Sequence, residues 1–291
     1  EGEGGPRCGP VEVLIDQNHL AERFGFTEIS SVKASPDGRL VAFMLDTKGD
    51  ESYDIWVVDT EAEGAPPPLS SPPASSGFPM HMVAGSAHSF DWMDSGTLVY
   101  AAASSQLRPD VVEAVRVPAL LRDAAGPPGR HRTRIHTEDR PDVWVDVRAT
   151  KDRRFVVVSV VGSARVFLLL PAGAGAAGRE LVLWPVATGD GGAAAADAEG
   201  GGVRPPEESV AFVEHSNGYL YLATSDDDEA LRRSGNNVAI RRARFSGTSD
   251  CELKWAPVVR PLRGAHLLEF DVFDRHLVLY ELFEGSGHLR V

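Results

Sequence analysis

The feature of the sequence that most constrains its fold is a turn that recurs at nearly constant intervals. In the first copy, residues 30–43, a strand-like segment leads into Pro36-Asp37-Gly38 and an apolar strand-like run follows. Proline fixes φ and glycine accepts a positive φ, so this tripeptide is typical of a tight turn between two strands. The turn residues of the five copies are Asp37, Asp94, Asp152, Asn217 and Asp274, at intervals of 57, 58, 65 and 57 residues. Each copy is therefore predicted to form three or four short strands, as one blade of a β-propeller does.

The chain is consequently expected to be all-β and to form a partial β-propeller of about five blades. Blades are predicted to start near residues 30, 88, 145, 210 and 267, within a propeller domain of residues 28–291. Residues 1–27 are a lead-in, where Asp16, Gln17 or Asn18 caps a short helix. The fifth copy stops within its third strand and leaves an open sheet edge. We therefore expect a fragment whose edge pairs with chain beyond this sequence.

Composition and charge argue against several classes of function. The 29 basic and 42 acidic residues give a formal net charge of −13, whereas nucleic-acid binding requires a basic face. No apolar run approaches the roughly 20 residues that span a bilayer, so no membrane association is predicted. With only Cys8 and Cys251 there is no disulfide framework, which indicates a reducing, cytoplasmic compartment. Residues 1–10 do not form a signal peptide, and the missing initiator methionine leaves organellar targeting from upstream open.

Three segments have residue types that bind cofactors or metals, and each is better explained without a ligand. Residues 173–178 match G-x-G-x-x-G, but the next segment has the pattern of a strand, whereas a dinucleotide site needs a helix there. His131 and His136 are followed by two acids but lie among arginines, which repel a cation and favour a solvated loop. Residues 226–229 are acidic but lack the glycine and the alternating ligands of a calcium loop. We expect no cofactor and no metal.

Motifs of nucleophilic catalysis are absent from the sequence, which has no G-x-S-x-G elbow, no H-E-x-x-H and no P-loop. Ser86 and His88 are close in sequence, but nothing indicates a group that would orient them as a triad requires. The strand positions hold aromatic residues, which packing between blades explains better than stacking on a ligand. They are Phe43, Trp56, Phe90, Trp92, Trp144, Phe212, Tyr221 and Phe270. The chain is therefore expected to contain no catalytic, cofactor-binding or metal-binding residue.

A set of short motifs in a fixed order covers nearly the whole chain. They are residues 12–18, the turn 35–38 with the acidic loop 46–51 and Tyr53, Arg108-Pro109, Glu138-Asp139, Glu214-His215 with residues 217–221, and Trp255 ahead of residues 267–271. In order and spacing these motifs resemble the prolyl oligopeptidase family, and within it the oligopeptidase B group. The family commonly has Thr-Asn after the fourth-blade hairpin, where this chain has Thr224-Ser225, and the Pro-rich and Gly/Ala-rich insertions are atypical.

The resemblance implies a two-domain serine peptidase, in which a seven-bladed propeller caps an α/β-hydrolase domain. The Ser, Asp and His of that domain would lie beyond Val291, so this chain alone is expected to be inactive. The intact protein is expected to hydrolyse short peptides by acyl transfer, while the propeller excludes folded proteins. The oligopeptidase B group cleaves after Arg or Lys, and an acidic propeller would concentrate such basic peptides. The sequence indicates no oligomeric state.

Two other interpretations stay open at this point. The first is a stand-alone propeller that binds a protein or peptide partner, because similar turns with flanking aromatics occur in other propellers. The second is a truncated product that does not fold stably. An open ring should aggregate or bind hydrophobic dye through its exposed edges, whereas a compact monomer that unfolds cooperatively would weaken the fragment interpretation.

Overall fold

The computed structural model describes residues 13–61, 80–104, 108–118, 131–161, 165–169, 179–182, 212–225, 238–245, 253–260 and 262–291. These residues form one α-helix and eighteen β-strands. The helix, α1, is Gln17–Phe24. The strands are β1 Glu28–Ala34, β2 Leu40–Asp46, β3 Tyr53–Asp59, β4 Met80–Trp92, β5 Thr97–Ala103, β6 Pro109–Arg116, β7 Arg132–Thr137, β8 Trp144–Ala149, β9 Val156–Val161, β10 Arg165–Leu169, β11 Arg179–Val182, β12 Val213–Ser216, β13 Tyr219–Ser225, β14 Val238–Arg244, β15 Ala256–Val259, β16 Ala265–Val272, β17 Leu277–Phe283 and β18 Ser286–Arg290.

Consecutive strands pair antiparallel in successive groups, which we call blades 1 to 5. Strands β1 to β7 follow one another in a single hydrogen-bonded order, which we divide within the long strand β4: blade 1 is β1–β3, and blade 2 is the residues of β4 from Ala87 onward together with β5–β7. Blade 3 is β8–β11, blade 4 is β12–β15 and blade 5 is β16–β18. Blade 1 belongs to one compact unit, which ends at Ser86, and blades 2 to 5 belong to a second, Ala87–Val291. The described part of the chain is thus the up-and-down series of short sheets that the repeat predicts.

Each predicted turn joins the first two strands of a blade. In blade 4, Asn217 and Gly218 form a two-residue hairpin with φ values of 51° and 75°, a conformation that these two residue types adopt with least strain. In blade 3, Asp152 accepts hydrogen bonds from Oγ1 of Thr150 at 2.8 Å and from the backbone N–H of Arg154 at 3.1 Å. Short polar side chains therefore supply the partners that the turn backbone lacks, and the turn predictions are confirmed.

In the second unit the apolar core lies between successive blades, because the inner strands are buried on both faces. In blade 3, Val156 and Val158 pack toward blade 2, whereas Val157 packs toward blade 4. In blade 4, Leu220 packs toward blade 3 and Tyr221 packs toward blade 5. Consecutive strand residues point to opposite faces, so a strand buried on both sides is a continuous apolar run rather than an alternating one.

Helix α1 is fixed at both ends. The carboxylate of Asp16 accepts the backbone N–H of Asn18 at 2.9 Å, which identifies Asp16 as the capping residue. Gly25 ends the helix with a φ of 83°, and its N–H donates to the carbonyl of Ala21. Leu20 anchors the helix in the core of blade 1. The part of the chain that the structure describes has no helix able to cross a bilayer.

Burial confirms the prediction for most of the aromatic strand residues and contradicts it for one. The buried members are Phe43, Phe90, Trp92, Tyr221 and Phe270. Trp144 is 43% exposed, so its predicted place in the core is wrong. It is the first residue of β8, the edge strand of its sheet, and only one neighbouring strand flanks it there. Apolar character alone does not indicate which end of a strand reaches the surface.

Candidate functional site

The first strands of blades 3, 4 and 5 bring charged side chains together at one place. These strands, β8, β12 and β16, are each the edge strand of their sheet, and their side chains reach neighbouring blades. We call the group the first-strand cluster, although one member lies in the turn after β8. It consists of Arg148, Lys151, Glu214, Glu269 and Asp271.

Glu214 is the most deeply buried member, with 1% of its side chain exposed. Its Oε1 lies 3.2 Å from Nη2 of Arg148, and its Oε2 accepts the backbone N–H of Lys151 at 3.0 Å. Arg148 also donates to the carbonyl oxygen of Val213 at 3.0 Å. Burial raises the pKa of Glu214, and the attraction of Arg148 and Lys151 offsets only part of that effect. Blade 3 therefore binds this carboxylate, which still holds its proton more readily than an exposed glutamate does.

Asp271 of blade 5 is the second buried carboxylate of the cluster. Nζ of Lys151 lies 3.0 Å from its Oδ1, and the hydroxyl of Tyr280 donates to its Oδ2 at 3.0 Å. The hydrogen bond to Asp271 raises the pKa of Lys151 and of Tyr280, because the carboxylate favours their protonated forms. Oε1 of Glu269 lies 3.7 Å from Nη1 of Arg148. Both cations of blade 3 thus contact blade 5.

The chemistry of the cluster is the binding of charged groups. Three carboxylates face two cations, so acidic groups are in excess. Lys151 and Glu269 have 52% and 51% of their side chains exposed, so a ligand can reach a cation and an anion. Asp271 stabilises the protonated form of Lys151. A protonated amine has no free lone pair and therefore cannot act as a nucleophile. The arrangement favours electrostatic contacts over covalent catalysis.

A second polar contact between blades 3 and 4 has the form of an acid–histidine pair. Nδ1 of the fully buried His215 lies 2.6 Å from Oδ2 of Asp152. The imidazole stands edge-on to the ring of Phe155, with centroids 4.7 Å apart. Its Nε2 has no hydrogen-bond partner among the described residues, whereas a serine peptidase needs a serine hydroxyl at this nitrogen. The pair therefore joins two blades and does not form part of a triad here.

Sequence reasoning missed the first-strand cluster, although the repeat contains a signal for it. The position three residues before the turn residue is an acid in blades 2, 4 and 5, namely Asp91, Glu214 and Asp271. All three are buried, and each contacts another blade. Oδ2 of Asp91, for example, accepts the backbone N–H of Ala149 at 3.0 Å. A buried acid that recurs in a repeat indicates a polar contact, because buried carboxylates need partners.

The two histidines considered as metal ligands have other surroundings. His131 precedes β7 and His136 lies on it. Nε2 of His136 is 3.5 Å from Oε2 of Glu138, and that carboxylate also binds the guanidinium of Arg140. Within the described ranges, no group of three or more histidine, cysteine, aspartate or glutamate side chains is placed to hold a metal ion.

Other candidates from the sequence lie outside the described residues, namely Cys8, Cys251 and residues 173–178 and 226–229. The strands that flank residues 173–178, β10 and β11, pair antiparallel, so the segment that follows the motif is a strand, as its pattern predicts. Ser86 and His88 are both exposed on β4.

Comparison with a family model identifies the fold. The model of the prolyl oligopeptidase N-terminal β-propeller domain matches residues 2–291. No curated protein matches the sequence.

Solved structures of longer proteins share this fold. Oligopeptidase B from Leishmania major has a TM-score of 0.66 at 18% identity, covering 96% of this chain and 33% of that chain. Oligopeptidase B from Trypanosoma brucei, with covalently bound antipain, has a TM-score of 0.63 at 18% identity, covering 99% and 34%. Prolyl oligopeptidase B from Galerina marginata has a TM-score of 0.63 at 13% identity, covering 96% and 35%. The chain thus spans about a third of the length of these structures, and the likeness is one of fold.

The family model and the strand order lead to the same conclusion. The blades of the described residues repeat as the turn spacing predicts, and the matched segment extends over residues 2–291. The prediction of an all-β partial propeller is confirmed, and the chain belongs to the prolyl oligopeptidase family, a family of serine peptidases, as its N-terminal β-propeller domain.

Proposed function

We propose that this propeller gates substrate access in a serine-type oligopeptidase that hydrolyses short peptides. The observation that carries the proposal is the family match over residues 2–291. In this proposal an α/β-hydrolase domain outside residues 1–291 supplies the chemistry. Its serine attacks the scissile carbonyl, its histidine transfers the proton and backbone donors hold the oxyanion. The propeller would admit short peptides and exclude folded proteins, and by itself it would be inactive.

The proposed substrates are peptides cleaved after Arg or Lys. The net charge of −13 supports this specificity, because an acidic protein raises the local concentration of cationic peptides. The first-strand cluster adds one carboxylate in excess of its two cations, and its member Glu269 is half exposed.

The test is a measurement of kcat/KM for the complete protein on matched short peptides that differ only at the cleavage position. We expect Arg and Lys peptides to exceed the Pro peptide by at least about tenfold. Equal values, or a preference for Pro, contradict the proposed specificity. The same cleavable sequence is then placed within a folded carrier protein. Loss of cleavage there supports gating, and unchanged cleavage contradicts it.

The second candidate function is a propeller that binds a peptide or protein partner without hydrolysing it. The observation that favours it is the charge-binding character of the first-strand cluster, which contains no activated nucleophile. A serine-directed phosphonate inhibitor separates the two candidates in the complete protein. Peptide hydrolysis that the inhibitor abolishes supports the peptidase, and peptide binding without hydrolysis supports the binding module.

Two other expectations stand as part of the proposal. One is the division of the chain into a lead-in of residues 1–27 and a propeller of residues 28–291. The other is a reducing, cytoplasmic compartment, which the low cysteine content favours.

A further inference from the structure

We propose that Lys151 and Arg148 form an ionic latch that links blade 3 to blade 5 across blade 4, so that blades 3, 4 and 5 open as one unit. Lys151 contacts Asp271, and Arg148 contacts Glu269 on the same strand of blade 5. The partners are about 120 residues apart in sequence, with all of blade 4 between them. The inference does not depend on the peptidase proposal, because it concerns contacts within the propeller alone.

The apolar contacts of the described residues join these blades only in succession. One cluster packs Phe155 and Val157 of blade 3 against Leu220 of blade 4. The next packs Ile240 of blade 4 against Phe270 of blade 5. Through these contacts alone, blade 5 is coupled to blade 3 only by way of blade 4. The two ion pairs add a direct link between blades that are not sequence neighbours.

Blade 4 contacts the same two residues, Arg148 and Lys151, through its first strand. Its first strand β12 has four residues, Val213–Ser216, all of them buried. Glu214 on that strand binds the side chain of Arg148 and the backbone N–H of Lys151, the same two residues that reach blade 5. Both residues therefore contact two blades at once, Arg148 through its guanidinium and Lys151 through its backbone N–H and its ammonium, so blades 4 and 5 are attached to the same two residues of blade 3.

In the Lys151–Asp271 pair the lysine is the exposed partner, so its side chain can be replaced without leaving a cavity in the core. Asp271 is buried, whereas 52% of the Lys151 side chain is exposed. Loss of the ammonium leaves the Asp271 carboxylate with the Tyr280 hydroxyl and little solvent, which is unfavourable for a charge. Opening of the strand relieves this by hydrating Asp271. We therefore expect removal of Lys151 to increase local opening of β16 rather than global unfolding.

Amide hydrogen exchange of the complete protein tests the latch, with β16 as the reporter segment. Lys151→Met keeps the length and apolar stem of the side chain but removes its charge. We expect exchange in Ala265–Val272 to rise about tenfold in this variant, and to return close to the wild-type rate in Lys151→Arg. The Asp271→Asn variant should raise exchange in the same segment. The double variant should add little to either single change, because both remove one interaction.

The matched control is Arg134→Met. Arg134 is 57% exposed and binds Glu113, whose side chain is 16% exposed, so the pair resembles Lys151–Asp271 in burial. Both of its members lie in blade 2, and its loss should leave exchange in β16 unchanged. The proposal is overturned if Lys151→Met leaves β16 at the wild-type rate, or if Arg134→Met raises exchange there equally. Fully additive effects in the double variant would also overturn it.

Discussion

Replacing Glu138 with glutamine is expected to reduce the free energy of unfolding by up to about 3 kcal/mol at neutral pH. Glu138 follows β7 in blade 2, and 4% of its side chain is exposed. Its Oε1 accepts Nε–H of Arg140 at 2.9 Å and the backbone N–H of the same residue at 3.1 Å. The side-chain hydrogen bond from Arg140, together with the backbone hydrogen bond and the charge of the same residue, lowers the pKa of Glu138 from 4.5 to about 2. Glutamine keeps the shape of the side chain and removes the charge.

The sign of the pH dependence follows from the direction of this change. A lowered pKa means that the folded state prefers the ionised carboxylate. The stabilisation is therefore present above about pH 4.5 and is lost as the pH falls through the folded pKa near 2. Linkage between these two pKa values gives about 3 kcal/mol near pH 7 and about 1.4 kcal/mol near pH 3. Arg140 is 43% exposed, so solvent screening makes these values upper bounds.

Urea denaturation followed by tryptophan fluorescence measures the effect, since Trp92 is buried in blade 2. Wild type and Glu138→Gln are compared near pH 7 and near pH 3, and the difference in unfolding free energy should shrink by more than half. The control is Asp139→Asn, an exposed neighbour whose replacement should change stability by less than about 0.5 kcal/mol. A difference that is the same at both pH values, or one below about 1 kcal/mol near pH 7, refutes the electrostatic reasoning.

Two further substitutions test the burial of charge and the core between blades. Burial raises the pKa of Glu214, so the folded state prefers the protonated carboxyl. This stabilisation is full below about pH 4.5 and is lost as the pH rises through the pKa of the folded state. Glu214→Gln should therefore be as stable as wild type or more stable near pH 7, and a loss above about 1 kcal/mol in urea titration contradicts this. Leu220→Ala, fully buried between blades 3 and 4, should cost about 2–5 kcal/mol, whereas Leu262→Ala at an exposed position should cost less than about 0.5 kcal/mol. Equal losses in thermal unfolding would contradict the assigned core.

The blades could be predicted from the sequence because two local signals agree. Turn residues such as Asp152 and Asn217 bond to their own backbone or adopt a positive φ, and these preferences do not depend on distant contacts. The apolar runs beside them are continuous, as strands buried on both faces require. The direction in which each apolar side chain points could not be predicted. Val157, for example, is apolar in the sequence, but nothing there indicates that it faces blade 4. The face that each residue presents is set only when neighbouring blades pack.

The first-strand cluster could not be predicted as a motif, because its members come together only through packing between blades. Arg148 and Lys151 are three residues apart, but their carboxylate partners lie more than 60 residues further along the chain. Catalytic and metal motifs are recognisable when local spacing fixes their geometry, as on one helix or in one loop. Ion pairs between blades have no such spacing, and Arg148 and Lys151 resemble solvated surface residues until the fold is known.

The acid three residues before the turn residue of blades 2, 4 and 5 shows where prediction from a repeat reaches its limit. Asp91 and Glu214 both accept a backbone N–H of blade 3, from Ala149 and Lys151 respectively. Every residue except proline offers such a donor, so an acid at this position can find a partner whatever the neighbouring sequence is. Asp271 instead takes the side chain of Lys151, and this contact requires a cation at one particular place. The repeat therefore indicates where a buried acid lies, while the packing of the blades decides whether its partner is a backbone group or a charge.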